Sequence, residues 1–153
     1  MMKEFLRSAY FLLRLPVVVI IKLLFFISRP EPERVEKILI IRLDRIGDFV
    51  ASLPVIDNLK LSYPGAVIHV LIRPHMRGLA GFIKNIDAVL EYDNFLGVVS
   101  KLRKERYDLV IDLLYDYKLK TGILAFLSSA PVRLGYAWGF RELLFNRVVK
   151  AGD

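Results

Sequence analysis

The sequence predicts an α/β protein whose core is a parallel β-sheet covered by helices on both faces, with an apolar helix ahead of it. From Lys37 onward, short runs of β-branched and other apolar residues alternate with segments of helix length. Continuously apolar strands are typical of parallel sheets, which are buried on both faces. The chain has 153 residues, which is enough for one domain with its own core.

The first predicted element is an apolar and basic helix over residues 1–27, whose centre, Ser8–Ile27, reads SAYFLLRLPVVVIIKLLFFI. Its length is near the ~20 residues that span a bilayer, but Arg14 and Lys22 interrupt it. At about 100° per residue the basic side chains share one arc. This favours a helix lying in the membrane surface, with its cations toward anionic headgroups. There are two alternatives. The helix crosses the membrane as a tilted span, or it packs on its own domain or on a partner domain.

Residues 28–36 (SRPEPERVE) combine prolines with glutamates and predict a solvated linker. The remaining residues, 37–153, form the predicted globular domain. Its strands are expected at Lys37–Leu43, Val67–Arg73, Ala88–Asp93, Asp108–Leu114 and Val132–Ala137, and its helices at Phe49–Ser62, His75–Lys84, Asn94–Arg106 and Lys118–Ser128.

Strands that alternate with helices in this way favour a Rossmann-like, doubly wound parallel sheet. Ligands of such sheets bind outside the carboxyl ends of the strands. The candidate functional residues are therefore sought at the ends of the predicted strands.

Composition excludes several classes of protein. The chain has no cysteine and two histidines, which excludes a disulfide framework, a zinc ribbon and a thiol nucleophile, and no metal site is expected. The net charge of +7 suggests anionic partners such as phosphates or lipid headgroups, but the basic residues are too scattered to indicate nucleic acid. The sequence contains no P-loop, no GxGxxG fingerprint and no GxSxG elbow.

The loop after the first strand carries the strongest candidates. Gly47 allows a tight turn or a close backbone approach. Asp48 is either an N-cap for the following helix or a carboxylate that acts as a general base, and Asp44 is as ambiguous. Arg42 and Arg45 either pair with these acids or bind phosphate and carboxylate groups.

The ends of the second and fourth strands add further polar residues. Arg73, His75 and Arg77 could engage an anionic substrate, although a solvated loop explains them equally well. After the fourth strand, carboxylates, tyrosines and a lysine cluster in Asp112–Lys118. Tyrosines at such an edge stack on sugar or base faces, or simply pack.

The stretch KILIIRLDRIGDFVASLPVIDNLKLSYPGAVIHVLIRP resembles the start of the family 9 glycosyltransferases, the lipopolysaccharide heptosyltransferases. That family opens with a strand, a basic residue, a loop ending in Ile-Gly-Asp and a helix containing proline. A later stretch, YDLVIDLLYDYKLKTGILAFLSSAPVRLGY, is also similar to the family, and the matching residues are Arg42, Ile46–Asp48, Pro54, Tyr63, Pro64, Ala66, Arg73, Pro74, Asp108–Leu113, Lys118, Arg133, Gly135 and Tyr136.

The resemblance implies the N-terminal half of a metal-independent GT-B glycosyltransferase. This half binds the acceptor, a Kdo-bearing lipid A or similar core glycolipid. A C-terminal half, absent from this chain, binds the nucleotide-sugar donor, ADP-heptose in the best-known members. By the same resemblance Asp48 is the general base. Arg42, Arg45, Gly47, Arg73, Arg77 and Lys118 are expected to contact the substrate.

An enzyme with a lipid acceptor is expected at the cytoplasmic face of the inner membrane, held by residues 1–27. The segment Leu114–Tyr117 departs from the family pattern, which suggests a different acceptor. Two other functions stay open. The chain is a non-enzymatic, membrane-tethered module that binds an anionic glycolipid or protein, or it is an inactive remnant of such an enzyme.

Overall fold

The computed structural model describes residues 2–24, 29–116, 118–138 and 140–150. Six parallel strands form one sheet in the order β3-β2-β1-β4-β5-β6. The strands are β1 (Lys37–Arg42), β2 (Val67–Ile72), β3 (Ala88–Glu91), β4 (Leu109–Asp112), β5 (Val132–Tyr136) and β6 (Arg147–Val149). This order reverses direction between β1 and β4, the switch point at which Rossmann-like sheets open a crevice for ligands. The predicted Rossmann-like sheet is confirmed.

The helices are α1 (Met2–Leu24), α2 (Ile46–Ala51), α3 (Leu53–Ser62), α4 (Arg77–Ala80), α5 (Phe95–Glu105) and α6 (Leu119–Leu127). Short 3-10 helices cover Pro74–Met76 and Arg141–Leu144. The sequence pattern missed β6, a three-residue strand that is largely exposed and therefore leaves no apolar run to detect.

The apolar run of β1 explains how the two layers of the core arise. Successive side chains of a strand point to opposite faces. Ile38 and Ile40 accordingly pack with Phe49 and Ile56 on one face, while Leu39 and Ile41 belong to a separate cluster on the other. All four β1 residues are fully buried, so the strand is anchored from both sides.

The predicted helix Phe49–Ser62 is wrong as a single element, since the structure divides it into α2 and α3 at Ser52. The cause is Pro54, which lacks an N–H and whose ring would clash with the carbonyl group four residues earlier. Pro54 instead lies in the first turn of α3, where its missing donor costs nothing. The break leaves α2 as a short element directly after the loop that follows β1.

Over residues 13–24, helix α1 packs with one side on the globular domain and exposes the other. Val18 is fully buried against Phe126, Leu127 and Leu144. Arg14 is only 6% exposed, so this predicted headgroup-facing cation turns toward the protein. The outward side carries the exposed apolar residues Leu13, Leu15, Val17, Val19, Ile20, Leu23 and Leu24. Within the described ranges, no helix combines the length and apolarity needed to span a bilayer.

Residues 29–36 form no helix or strand, and they contact the globular domain. Arg29 donates from Nε to the carbonyl oxygen of Ser129 at 3.0 Å and from Nη2 to that of Tyr107. These bonds fix the chain where it enters β1.

Candidate functional site

A cavity of about 1280 Å³ opens at the carboxyl ends of the central strands. It is formed by the loops that follow β1, β2 and β4, by the start of α6 and by the end of β5. The residues that line it are Arg42–Asp48, Arg73–His75, Tyr92, Leu113–Asp116, Lys118, Lys120, Thr121 and Tyr136. The position is the one expected for the ligand of a doubly wound sheet.

Arg42, the last residue of β1, joins the loop after β1, the start of α2 and the loop after β4. Its Nε and Nη2 donate to the carbonyl oxygen of Asp48 at 3.1 and 2.9 Å. Its Nη1 donates to the carbonyl oxygen of Leu113 and lies 3.3 Å from Asp44 Oδ2. Because every nitrogen of the guanidinium donates within the chain, Arg42 holds these segments in place, and its contact with substrate stays a prediction.

Asp48 is the third residue of α2, and its half-buried side chain lines the cavity. The N-cap of α2 is Arg45, which provides no side-chain cap. The structure therefore contradicts the alternative in which Asp48 is the N-cap. Among the described residues none donates a hydrogen bond to the Asp48 carboxylate, so a substrate group can approach it.

Asp44 differs from Asp48 in its surroundings, although it lies only four residues earlier, in the loop ahead of α2. Its Oδ2 faces the guanidinium of Arg42, and its Oδ1 is buried without a hydrogen bond to any described residue. Burial raises the pKa of Asp44, while the positive charge of Arg42 opposes that rise. Asp44 is thus committed to Arg42, whereas Asp48 is open to the cavity.

Gly47 is not packed against any of the described residues. A Cβ atom added to it would meet none of their atoms within 4 Å, and its backbone is helical rather than left-handed. Glycine in a helix is less favourable than alanine by roughly 0.5–1 kcal/mol. The described part of the fold gives no reason for glycine here, and the space beside it belongs to the cavity.

The predicted cationic contacts separate into two groups. Arg45, Arg73 and Lys118 line the cavity. Arg73 Nε donates to the carbonyl oxygen of Leu43 at 2.7 Å, and Lys118 Nζ lies 2.8 Å from Asp116 Oδ2. Arg77 does not line the cavity, because it lies on α4, pairs with Glu91 and keeps its side chain 75% exposed.

Sequence reasoning missed Arg141, the partner of Asp112. Both side chains are fully buried, and Arg141 Nη2 donates to Asp112 Oδ2 and, at 3.1 Å, to Thr121 Oγ1. Arg141 Nη1 donates to the carbonyl oxygens of Leu114, at 2.6 Å, and Asp116. A carboxylate at the end of a buried strand requires a cation or several donors, and that requirement was the available signal.

Gly135 and Tyr136, which the family resemblance singled out, are the last two residues of β5. Gly135 lies within β5, and a Cβ atom there would come within 2.4 Å of the Phe145 ring. The glycine is needed because an aromatic ring covers the strand. Of these two residues, Gly135 has a packing role and Tyr136 lines the cavity.

The histidines lie at opposite ends of the sheet. His75 lines the cavity, whereas His69 is buried on β2, with Nδ1 2.8 Å from the Tyr107 hydroxyl. Burial, with the nearby Lys37 charge, lowers the pKa of His69. In the part of the chain that the structure describes, no three histidine or carboxylate side chains are grouped to hold a metal ion.

Two curated proteins that are similar to this chain are both named as sugar transferases. Over 117 residues the chain is 29% identical to a putative glycosyltransferase of Haemophilus influenzae, covering 72% of this chain and 33% of that protein. Over 113 residues it is 32% identical to lipopolysaccharide heptosyltransferase 3 of Escherichia coli, covering 66% of this chain and 32% of that protein. No family model matches the chain.

Solved structures share the fold. ADP-heptose lipopolysaccharide heptosyltransferase II of E. coli matches with a TM-score of 0.66 and 25% identity, over 73% of this chain and 34% of that one. A family 9 glycosyltransferase of Veillonella parvula matches with a TM-score of 0.62 and 18% identity, over 79% of this chain and 38% of that one.

The chain spans about a third of the length of the curated relatives it matches. The resemblance to family 9 glycosyltransferases, and to the heptosyltransferases within it, is confirmed over the matched part of the chain.

Proposed function

We propose that this chain is the acceptor-binding part of a glycosyltransferase that moves heptose or a related sugar from a nucleotide-sugar to a lipopolysaccharide-core-type glycolipid. One observation carries the proposal. The carboxylate of Asp48 is open to a cavity lined by cationic side chains, at the edge of the sheet where such folds bind ligands. The relatives with heptosyltransferase names support the sugar class.

Asp48 is the general base of this reaction. Its carboxylate accepts the proton of an acceptor hydroxyl, and the oxygen then bonds to the anomeric carbon of the donor sugar. The bond from that carbon to the diphosphate breaks in the same displacement, and the nucleoside diphosphate leaves with the electron pair. Direct displacement inverts the anomeric configuration. It uses no metal where cations and helix N-termini neutralise the leaving phosphate.

Arg45 and Arg73 bind the acidic groups of the acceptor. Arg45 is exposed at the mouth of the cavity. Arg73 is held at Nε by Leu43, and its two terminal nitrogens make no hydrogen bond to another described residue. A guanidinium held in this way presents two donors to a carboxylate or a phosphate group. Lys118, between β4 and α6, adds a further cation to the lining, beside Asp116.

The donor, ADP-heptose or a similar nucleotide-sugar, binds to a second domain that lies outside this chain. This part of the proposal follows from the relatives, which are about three times as long as the matched region. The catalytic test therefore uses a polypeptide that carries both halves. Transfer of heptose from ADP-heptose to a Kdo-bearing glycolipid, detected by mass spectrometry, supports the proposal. Binding of the glycolipid without transfer supports the non-enzymatic module instead.

We also propose that α1 holds the domain on the cytoplasmic face of the inner membrane, where a lipid-linked acceptor is accessible. The outward side of α1 presents seven exposed apolar residues between Leu13 and Leu24, and no exposed charged residue among the side chains described there. Such a face enters the acyl boundary when a helix lies in the bilayer surface. Because Arg14 faces the protein, contact with anionic headgroups depends on the other cations of this basic chain.

A further inference from the structure

Three aromatic side chains form a wall at the mouth of the cavity. Tyr115 follows β4, Tyr136 ends β5, and Trp138 lies two residues further on. The Tyr115 ring meets the Tyr136 ring edge to face, with centroids 5.3 Å apart and an interplanar angle of 87°. It meets the Trp138 ring at 5.2 Å and 74°. We call these three residues the aromatic wall.

The aromatic wall remains exposed even though its rings pack on one another. Tyr115 is 52% exposed and Trp138 is 39% exposed, while Tyr115 and Tyr136 both line the cavity. Large aromatic side chains gain most when they are buried. Aromatic rings that stay partly exposed beside a cavity therefore offer an apolar surface on which a ligand can pack.

The loop that carries Tyr115 is fixed from below. Arg141 donates to the carbonyl oxygens of Leu114 and Asp116, on both sides of Tyr115, and is itself fully buried against Asp112. The loop cannot collapse onto the cavity without breaking this network. The wall is thus held in place before a ligand binds, which lowers the entropy cost of binding.

Tyr92, the other tyrosine in the described lining, does not offer a comparable surface. The Lys120 ammonium group lies 3.8 Å from its ring centroid, so one face of that ring is covered by a cation. Arg73 and Arg45 follow β2 and β1, whereas Tyr115 and Tyr136 lie at the ends of β4 and β5, across the switch point of the sheet. The lining across the switch point therefore carries the aromatic wall as well as the cation of Lys118.

We propose that the aromatic wall is a stacking platform for an uncharged pyranose ring of the acceptor, next to the acidic sugar that Arg45 and Arg73 bind. The C–H-rich face of a pyranose carries partial positive charge and complements the negative face of an aromatic ring. Tyrosine hydroxyls and the indole N–H can bond to sugar hydroxyls at the edge. This inference rests on the proposed function, because it assumes that the cavity binds the acceptor saccharide.

Trp138 is the only tryptophan of the chain, so its fluorescence reports on the wall alone. The chain is titrated with two probes, Kdo alone and a disaccharide of Kdo and a neutral heptose. The disaccharide is expected to shift the Trp138 emission and to bind about 10-fold more tightly than Kdo. Tyr115→Ala is expected to remove that 10-fold advantage, and Tyr115→Phe, which keeps the ring, to retain it.

Phe82→Ala is the matched control, since Phe82 is 86% exposed and does not line the cavity. It should change neither affinity. Equal binding of the two probes, or an unchanged advantage in Tyr115→Ala, overturns the platform. If Arg73→Gln still weakens both probes in that case, the acceptor site stands and the platform alone is wrong. If neither probe binds to the wild-type chain, both proposals are wrong.

Discussion

The guanidinium of Arg42 donates two hydrogen bonds to one atom, the main-chain carbonyl oxygen of Asp48. The same group reaches the carbonyl oxygen of Leu113, so the end of β1, the start of α2 and the end of β4 are joined through one side chain. Asp48 is fixed by its backbone while its carboxylate stays open to the cavity. A general base gains from this arrangement, because catalysis depends on position as well as on proton affinity.

Replacement of Arg42 should therefore damage positioning more than binding. Arg42→Met removes every donor and leaves the main-chain carbonyl groups of Asp48 and Leu113 without this partner, which should cost about 1–3 kcal/mol of unfolding free energy. In the two-domain enzyme we expect kcat to fall by about 10- to 100-fold, with acceptor affinity changed by less than about 3-fold. Urea unfolding and steady-state kinetics measure the two effects. Arg45→Met, in contrast, should weaken acceptor binding and leave the free energy of unfolding unchanged. If both variants changed kcat, acceptor affinity and unfolding free energy alike, Arg42 would not differ from Arg45 in its role.

Gly47→Ala should separate stability from function. Since an added Cβ atom meets no atom of the part of the chain that the structure describes, the variant should gain roughly 0.5–1 kcal/mol of stability from its helix position. Substrate would meet the added methyl group, so acceptor affinity and transfer should fall. Gly78→Ala is the control, because Gly78 lies in α4, has equally open surroundings and does not line the cavity. If Gly47→Ala transfers sugar as well as Gly78→Ala does, substrate does not pass close to Gly47.

Sequence patterns predicted the main strands because β1, β2 and β4 are short apolar runs buried on both faces. They also placed Asp48, Arg45 and Arg73 at one edge, since parallel strands end together. They did not predict the pairing of Asp112 with Arg141, which lie 29 residues apart in sequence. Such a contact depends on how the 3-10 helix Arg141–Leu144 packs against α6. The periodic spacing of apolar residues along the sequence contains no information about it.

The orientation of α1 shows the same limit. Helical spacing placed the basic residues of this segment on one side, and that side was expected to face headgroups. In the structure Arg14 and Val18 of that side face the domain, because α6 and the 3-10 helix Arg141–Leu144 present apolar side chains to α1 there. Periodicity identifies the two sides of a helix, but only tertiary packing decides which of them is covered.

The outward side of α1 should determine membrane binding. Substitution of Leu13, Ile20 and Leu23 by Asn should reduce binding to phosphatidylglycerol vesicles by about 100-fold or more, because three apolar side chains no longer enter the bilayer. Vesicle co-sedimentation measures the loss, and circular dichroism checks the fold. The matched control places Asn at three exposed apolar positions of the globular domain, Leu61, Phe82 and Leu96. Equal binding by the two triple variants would remove α1 as the membrane contact.

His69 should make the domain less stable in mild acid. Its pKa is lowered in the folded protein from the ordinary value of 6.5, so the unfolded chain binds the proton more readily. The contribution of neutral His69 to the free energy of unfolding is fully present above pH 6.5. It is lost as the pH falls from 6.5 toward the lower pKa of His69 in the folded protein. Urea unfolding at about pH 7.5 and about pH 5.5 should show the decline in the wild type. His69→Gln should show a flatter profile, and an unchanged decline would assign the effect to another group.

The most direct test of the account is the effect of Asp48→Asn on transfer and on acceptor binding, measured together in the two-domain enzyme. The variant keeps the shape of the side chain but cannot accept the proton. The account predicts a loss of transfer of about 10³-fold, within the range of general base catalysis, with acceptor affinity within about 3-fold of the wild type. Asp44→Asn, four residues earlier, should retain most of the transfer. Near-normal transfer by Asp48→Asn, or a greater loss in Asp44→Asn, would contradict the assignment of Asp48 as the base.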